Sequence, residues 1–174
     1  SLLLEGPQGN VLVDCAPEMR LQLLREGVKR LEAVIITHTH ADHIMGMDDL
    51  RSFCLVQRRE MPVYTLPRYC VDIRRIFGYA FEEPDEGIQV PRFDLSEVPP
   101  VLNIAGLQIR CFTVWHGKWP VLAFRVNDFA YLTDVNRIPP EAEILLQGLD
   151  TLILDAVRYK PHPTHFHFEQ AIDV

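Results

Sequence analysis

The sequence predicts an α/β fold, and three features carry that expectation. Short apolar, β-branched runs recur at Val11–Asp14, Ala33–Thr37, Met61–Leu66, Leu107–Val114 and Thr151–Asp155, each of strand length and bounded by turn residues. Between them lie segments with helical spacing that open near proline and stop at glycine: Pro17–Glu26 before Gly27, and Pro139–Gln147 before Gly148. The third feature is chemical. The run Ala33–Thr37 delivers His38-Thr39-His40-Ala41-Asp42-His43, which gathers metal-capable side chains at a strand mouth.

The elements follow in order. Leu2–Leu4 and Val11–Asp14 flank the turn cluster Gly6–Asn10 and read as a hairpin. Its abrupt start, with no methionine, leads us to expect that the natural N-terminus lies upstream of Ser1. Asp14 ends its strand before Cys15-Ala16-Pro17, where a strand-end acid suits the capping of the next helix. In that helix Met19, Leu23 and Leu24 fall on the core-facing side. The Ala33–Thr37 strand comes next. Alternate residues of an extended chain point the same way, so His38 and His40 can converge on one metal ion. Asp42 and His43 open a helix with acids in its first turn and project from a different backbone direction, which suits a second ion beside the first. Imidazole and carboxylate donors together favour zinc, manganese or iron over a thiolate-selected metal.

Met45 and Met47 read as packing residues, and Asp48, Asp49 and Arg51 as a salt-bridged helix surface. Met61–Leu66 is a strand, and Pro67–Phe77 a helix whose Arg68, Arg74 and Arg75 belong to a solvated face. Glu82–Val90 is acidic and irregular. Short strands follow near Phe93–Val98 and Val101–Ile104, then Leu107–Val114, which runs into Trp115-His116-Gly117-Lys118. Pro120–Val126 and Phe129–Thr133 form a hairpin across Asn127-Asp128, a pair suited to positive φ. Asp134 ends the second of these strands. After the helix Pro139–Gln147, Thr151–Asp155 reads as a buried strand, and a last helix starts near Phe166.

Bulk properties narrow the function classes. A chain of 174 residues is one domain by length, with 48% hydrophobic and 24% charged residues, as in ordinary globular proteins. No apolar run approaches the ~18 residues of a membrane span and no signal peptide is evident, so a cytoplasmic protein is expected. Cys15, Cys54, Cys70 and Cys111 are scattered without a C-x-x-C pair and read as free buried thiols. The net charge of -7 argues against a long nucleic acid as partner and is compatible with a small phosphate ester.

The His-Thr-His-Ala-Asp-His stretch resembles the signature of the metallo-β-lactamase superfamily of dinuclear metal hydrolases. Its continuation Ala41–Arg51 resembles one branch, the cyclic phosphodiesterases of carbon–phosphorus-lyase phosphonate breakdown and their bacterial relatives. The likeness runs over essentially the whole chain. It implies an αββα sandwich, two mixed sheets with helices outside, and a pair of divalent cations: zinc or manganese, with iron a third candidate. By the same resemblance His116 completes the first metal site with His38 and His40. Asp42 and His43 hold the second ion, and Asp134 bridges both. Asp14 would prop the metal loop, the alternative to its capping role. His165 matches a histidine placed near the leaving group, and Asp155 the acid that orients it. The expected catalytic set is therefore Asp42, His165 and Asp155.

The pattern also departs from the family. A further ligand histidine and an N-terminal glycine-rich strand with a cysteine cluster have no match between Ser1 and Val174, so residues 1–174 are expected to be a single metallo-hydrolase domain lacking both ends. The resemblance implies a phosphodiesterase acting on a small, perhaps cyclic, phosphodiester. The alternatives are a thioester, lactone or β-lactam hydrolase of the same fold, or a non-catalytic accessory protein like the superfamily member of quinone-cofactor biosynthesis. A homodimer is compatible with any of these.

Overall fold

In the computed structural model, which describes every residue from Ser1 to Val174, the alternating pattern becomes ten strands in two five-stranded mixed sheets flanked by helices. The chain divides into two compact units, Ser1–Val98 with Asn103–Leu107, and Pro99–Leu102 with Gln108–Val174. The α/β class is as expected.

The first sheet has the order β1(Leu2–Gly6), β2(Gly9–Val13), β3(Ala33–Ile35), β4(Met61–Thr65), β5(Phe93–Glu97). β1 and β2 form the expected antiparallel hairpin, and β2 to β5 then run parallel. Parallel neighbours need long crossovers, and here these contain helices. α1(Met19–Arg25) joins β2 to β3; α2(Ala41–Ile44), a 3₁₀ turn at Met47–Leu50 and α3(Arg51–Gln57) join β3 to β4; α4(Pro67–Ile76) joins β4 to β5. A parallel strand covered on both faces reads as a continuous apolar run, and Val11–Val13 and Ala33–Ile35 are buried throughout. Met19 and Leu23 anchor α1 in this core beside Val34, Ile44 and Met47, each such side chain contributing roughly 1.5–3 kcal/mol. Leu24 instead faces solvent, because the buried stripe of α1 runs through Met19 and Leu23, four residues apart, and Leu24 falls one position off it. Met45 is likewise exposed, whereas Met47 packs inside.

The second sheet has the order β10(Thr151–Leu154), β9(Phe129–Leu132), β8(Trp119–Val126), β7(Leu107–His116), β6(Val101–Ile104). β7, β8 and β9 are antiparallel neighbours, and β10 lies parallel to β9. Val126 pairs with Phe129, so Asn127-Asp128 is the two-residue turn, with Asn127 at φ 53°. The core of the second unit includes Val114, Val121, Ala123, Leu132 and Phe166. Its remaining helices are short: α5(Pro140–Glu143), continued by a 3₁₀ turn at Ile144–Leu146, and α6(Phe168–Ile172). β10 is a half-exposed edge strand rather than the buried one its sequence suggests; Thr151 and Ile153 point outward.

The charged helix surfaces behave as expected. Arg51 pairs with Asp48, Arg75 with Asp72, and the Arg74 guanidinium lies 4.6 Å from the Phe81 ring centre. All four cysteines are free; Cys15 and Cys54 are buried, Cys70 and Cys111 half-buried. No helix is long and apolar enough to cross a membrane.

Candidate metal centre

Each unit carries one cluster of the expected site residues, at the C-terminal ends of parallel strands. In the first unit, parallel pairing of Val13 with Ile35 sets Asp14 beside the chain that leaves β3. The Asp14 backbone N–H donates to Ile35 O, and the residue then takes φ 58°, a conformation that Asp tolerates better than most side chains. That kink turns its buried carboxylate onto the metal loop. It accepts from Thr37 N and Thr37 Oγ1, each at 2.8 Å, and from His43 Nδ1 at 2.7 Å. The α1 N-terminus has Glu18 at its cap and no side-chain cap bond, so Asp14 supports the loop and not the helix.

These bonds fix the imidazoles. An ionised carboxylate only accepts, so His43 carries its proton on Nδ1 and its lone pair on Nε2. The Thr37 hydroxyl spends its hydrogen on Asp14, so its oxygen accepts from His38 Nδ1 at 3.1 Å, leaving the His38 lone pair also on Nε2. The His38 ring centre lies 4.5 Å from that of His40 and 4.2 Å from that of His43. Asp42, at the start of α2 and exposed, brings Oδ2 to 3.5 Å from His43 Nε2. Gly46 lets this short helix close on the Cys15–Ala16 backbone, because a β-carbon there would collide with Ala16 O. The first unit thus brings together all four residues of the H-x-H-x-D-H stretch.

In the second unit, β7, β9 and β10 run in the same direction; β7 ends in His116, Asp134 comes two residues after β9, and Asp155 directly follows β10. His116 donates from Nδ1 to Thr164 O at 2.6 Å, which again leaves the lone pair on Nε2. Gly117 follows at φ 61°, with the position of a β-carbon only 2.9 Å from Thr164 Cγ2. Asn136 ties this turn to the Pro163 loop, accepting from Gly117 N at 2.7 Å and donating to Pro163 O at 3.0 Å. Asp134 sits at φ 46°, the counterpart of Asp14 in the first unit. Asp155 Oδ2 accepts from Val135 N at 3.0 Å and from His165 Nδ1 at 2.6 Å. The donor atoms of Asp134, Asp155 and His165 lie within 4.8 Å of one another, and the His165 and His116 rings are 4.4 Å apart.

His165 belongs to the loop before α6, two residues ahead of His167, which caps that helix. His162 stacks edge-on beside His165 with ring centres 4.9 Å apart. Desolvation, then the Arg158 charge and the neighbouring histidines, pull its pKa below the usual imidazole value. Thr37 and Asn136 are the two supporting residues that sequence reasoning missed. Neither carries a local signal, since their partners are set by strand register and by a loop distant in sequence.

The donor set fits a divalent cation. Neutral imidazole nitrogens and carboxylate oxygens are the ligands of zinc, manganese and iron, and histidine ligands characteristically donate their other nitrogen to an oxygen, as His38, His43 and His116 do here.

A family model described as the beta-lactamase superfamily domain matches residues 9–174. An octanoyltransferase of Porphyromonas gingivalis is 37% identical over 178 residues, which cover 99% of this chain and 35% of that protein. A ribonuclease Z of Bradyrhizobium diazoefficiens is 32% identical over 121 residues, 67% of this chain and 40% of that protein. The chain therefore spans less than half the length of the curated relatives it matches. Among solved structures, a diphosphatase of the PhnP family is 33% identical with a TM-score of 0.84, over 94% of this chain and 62% of that one. The short form of human tRNase Z shares the fold, with a TM-score of 0.71 at 18% identity over 98% of this chain and 78% of that one.

Proposed function

This chain belongs to the beta-lactamase superfamily, and from that premise we propose that it is a metal-dependent phosphodiesterase acting on a small phosphodiester. The two units together make one hydrolase domain, a reading supported by the family model, which spans both. His38, His40 and His116 would hold one cation, Asp42 and His43 a second, and Asp134 would serve both. The observation that carries the proposal is shared by His38, His43, His116 and His165: an oxygen fixes Nδ1 of each ring, so each presents Nε2.

Bound cations would supply a water of lowered pKa and stabilise charge at phosphorus. The chain's own residues supply the rest. Asp14 and Thr37 hold His38 and His43 in one tautomer, and Thr164 O does the same for His116. His165, protonated on both nitrogens, keeps Nδ1–H on Asp155 and gives its Nε2 proton to the departing alkoxide. The Asp155 carboxylate keeps the ring oriented before and after that transfer.

Support for phosphoester chemistry comes from the diphosphatase and ribonuclease Z likenesses. The octanoyltransferase likeness favours a second reading, acyl hydrolysis, although the chain matches only 35% of that protein. The Asp155–His165 pair supports the first reading, since a positioned acid matters most for a poor alkoxide leaving group. Purified protein with Mn²⁺ or Zn²⁺ is to be assayed against bis-aryl and cyclic phosphodiesters, a thioester, a lactone and a precursor RNA. Metal-dependent turnover of the small phosphodiesters is expected; turnover confined to the acyl substrates would replace the proposal with the second reading.

A further inference from the structure

The β7–β8 hairpin carries another polar cluster at the end opposite His116. Its antiparallel register sets Arg110 across from Arg125; Gln108 lies two residues before Arg110 on the same face of β7, and Asn127 follows Arg125 in the turn after β8. These four side chains line a pocket of about 270 Å³. Arg110 is six residues from His116 on one strand, or about 20 Å at 3.3 Å per residue, so the pocket is remote from His116.

The two arginines differ in how they are held. Arg125 is half-buried and fixed by three carbonyls: Nε donates to Asn127 O at 2.5 Å, and Nη1 to Leu145 O at 2.8 Å and Gln147 O at 2.7 Å. Its Nη2 donors take no part in that anchoring. Arg110 is exposed and makes no hydrogen bond, ion pair or ring contact. No carboxylate pairs with either guanidinium. Like charges set directly across an antiparallel ladder repel one another, and here neither guanidinium has a carboxylate partner, in a protein whose net charge is -7.

We propose that Gln108, Arg110, Arg125 and Asn127 form a binding site for a small phosphate-type oxyanion, either free phosphate or the terminal group of a phosphomonoester. Guanidinium forks match phosphate oxygens in pairs, and two amides beside them offer neutral N–H donors. A phosphate, with three or four acceptor oxygens, meets that donor set better than the two oxygens of a carboxylate. The anion would also relieve the Arg110–Arg125 repulsion. Arg125 is pre-positioned, and Arg110 is the mobile arm that closes on the ligand.

The test is isothermal titration of metal-free protein at constant ionic strength with orthophosphate, glycerol 3-phosphate and acetate. Phosphate or the phosphomonoester should bind with a millimolar or lower Kd, acetate about tenfold or more weakly, and Arg110→Gln should weaken the phosphate arm by at least about tenfold. The preference between phosphate and its ester identifies the natural source. A second measurement guards against a folding defect. In chloride, Arg110→Gln should melt at or above the wild-type temperature, because it removes a repulsion; in phosphate the order should reverse. Equal phosphate affinity in wild type and Arg110→Gln would overturn the proposal, as would no binding by wild type at tens of millimolar. Acetate binding as tight as phosphate would overturn the phosphate assignment.

Discussion

Replacing Asp14 by Asn tests whether one carboxylate sets the tautomer of the metal loop. Its Oδ1 accepts from Thr37 N at 2.8 Å; its Oδ2 accepts from Thr37 Oγ1 at 2.8 Å and His43 Nδ1 at 2.7 Å. Asparagine tolerates the left-handed backbone and keeps the first of these bonds, so no conformational penalty is added. An amide nitrogen in place of Oδ2, however, faces two donors. The Thr37 hydroxyl can rotate and accept, but the His43 ring must move its proton from Nδ1 to Nε2 to do so. The exchange of charge-assisted for neutral bonds should cost about 1–3 kcal/mol of stability. The larger effect is on the lone pair of His43, which turns away from the site, and metal affinity should fall about 10–100-fold. Asp14→Ala should cost more stability, about 3–6 kcal/mol, from orphaned buried donors of roughly 1–3 kcal/mol each and a left-handed alanine. Urea unfolding of metal-free protein gives the stabilities, long-range ¹⁵N–¹H spectra of the imidazoles give the tautomer, and chelator competition gives the affinity. An Asp14→Asn protein with the His43 proton still on Nδ1, or with unchanged metal affinity, would refute the reasoning.

Three further outcomes are expected. Gly117→Ala forces a β-carbon toward Thr164 at φ 61° and should destabilise by about 1–2 kcal/mol in urea; stability within error of wild type would count against the tight turn at His116. The bond from Arg30, reinforced by Arg59, holds the Glu32 carboxyl below its usual pKa, so its stabilisation is present above about pH 4.3 and is lost as pH falls through the lower folded value. Glu32→Gln should then cost about 0.2–1 kcal/mol at pH 7 and progressively less as pH falls through the acid range. Burial first, then the Asp14 charge, push the Cys15 thiol well above its ordinary value; at pH 8 it should react with a disulfide reagent no faster than the protein unfolds, and immediate labelling of Cys15 by mass spectrometry would contradict its burial.

The legibility of this sequence follows from the range of the forces involved. Ala33–Thr37 was readable because a strand buried on both faces needs an unbroken apolar run, and H-x-H-x-D-H because its donors are local. The sequence does not mark β10 as an edge for the converse reason: an apolar composition suits a parallel edge strand as well as a buried one, and only the sheet order distinguishes them. α3 went unread beyond Arg51 because exposed Leu55 and Val56 blur its periodicity and no capping residue marks its start. Asp14 could not be assigned between helix cap and loop support, since its partners Thr37 and His43 are brought to it only by the β2–β3 register. Asn136 was invisible for the same cause: the Pro163 loop it grips is remote in sequence.

The central claim is a pair of cations held by the H-x-H-x-D-H residues, His116 and Asp134, and an anomalous-difference map of protein crystallised with Mn²⁺ or Zn²⁺ tests it most directly. The account predicts two peaks. One should lie about 2.0–2.2 Å from nitrogens of His38, His40 and His116 if the ion is zinc, the other against Asp42 and His43, with an Asp134 oxygen on each. His165 should stay off both ions, its Nδ1 still on Asp155. No peaks at saturating metal, His116 coordinated apart from His38 and His40, or a His165 nitrogen at ligand distance would contradict the account.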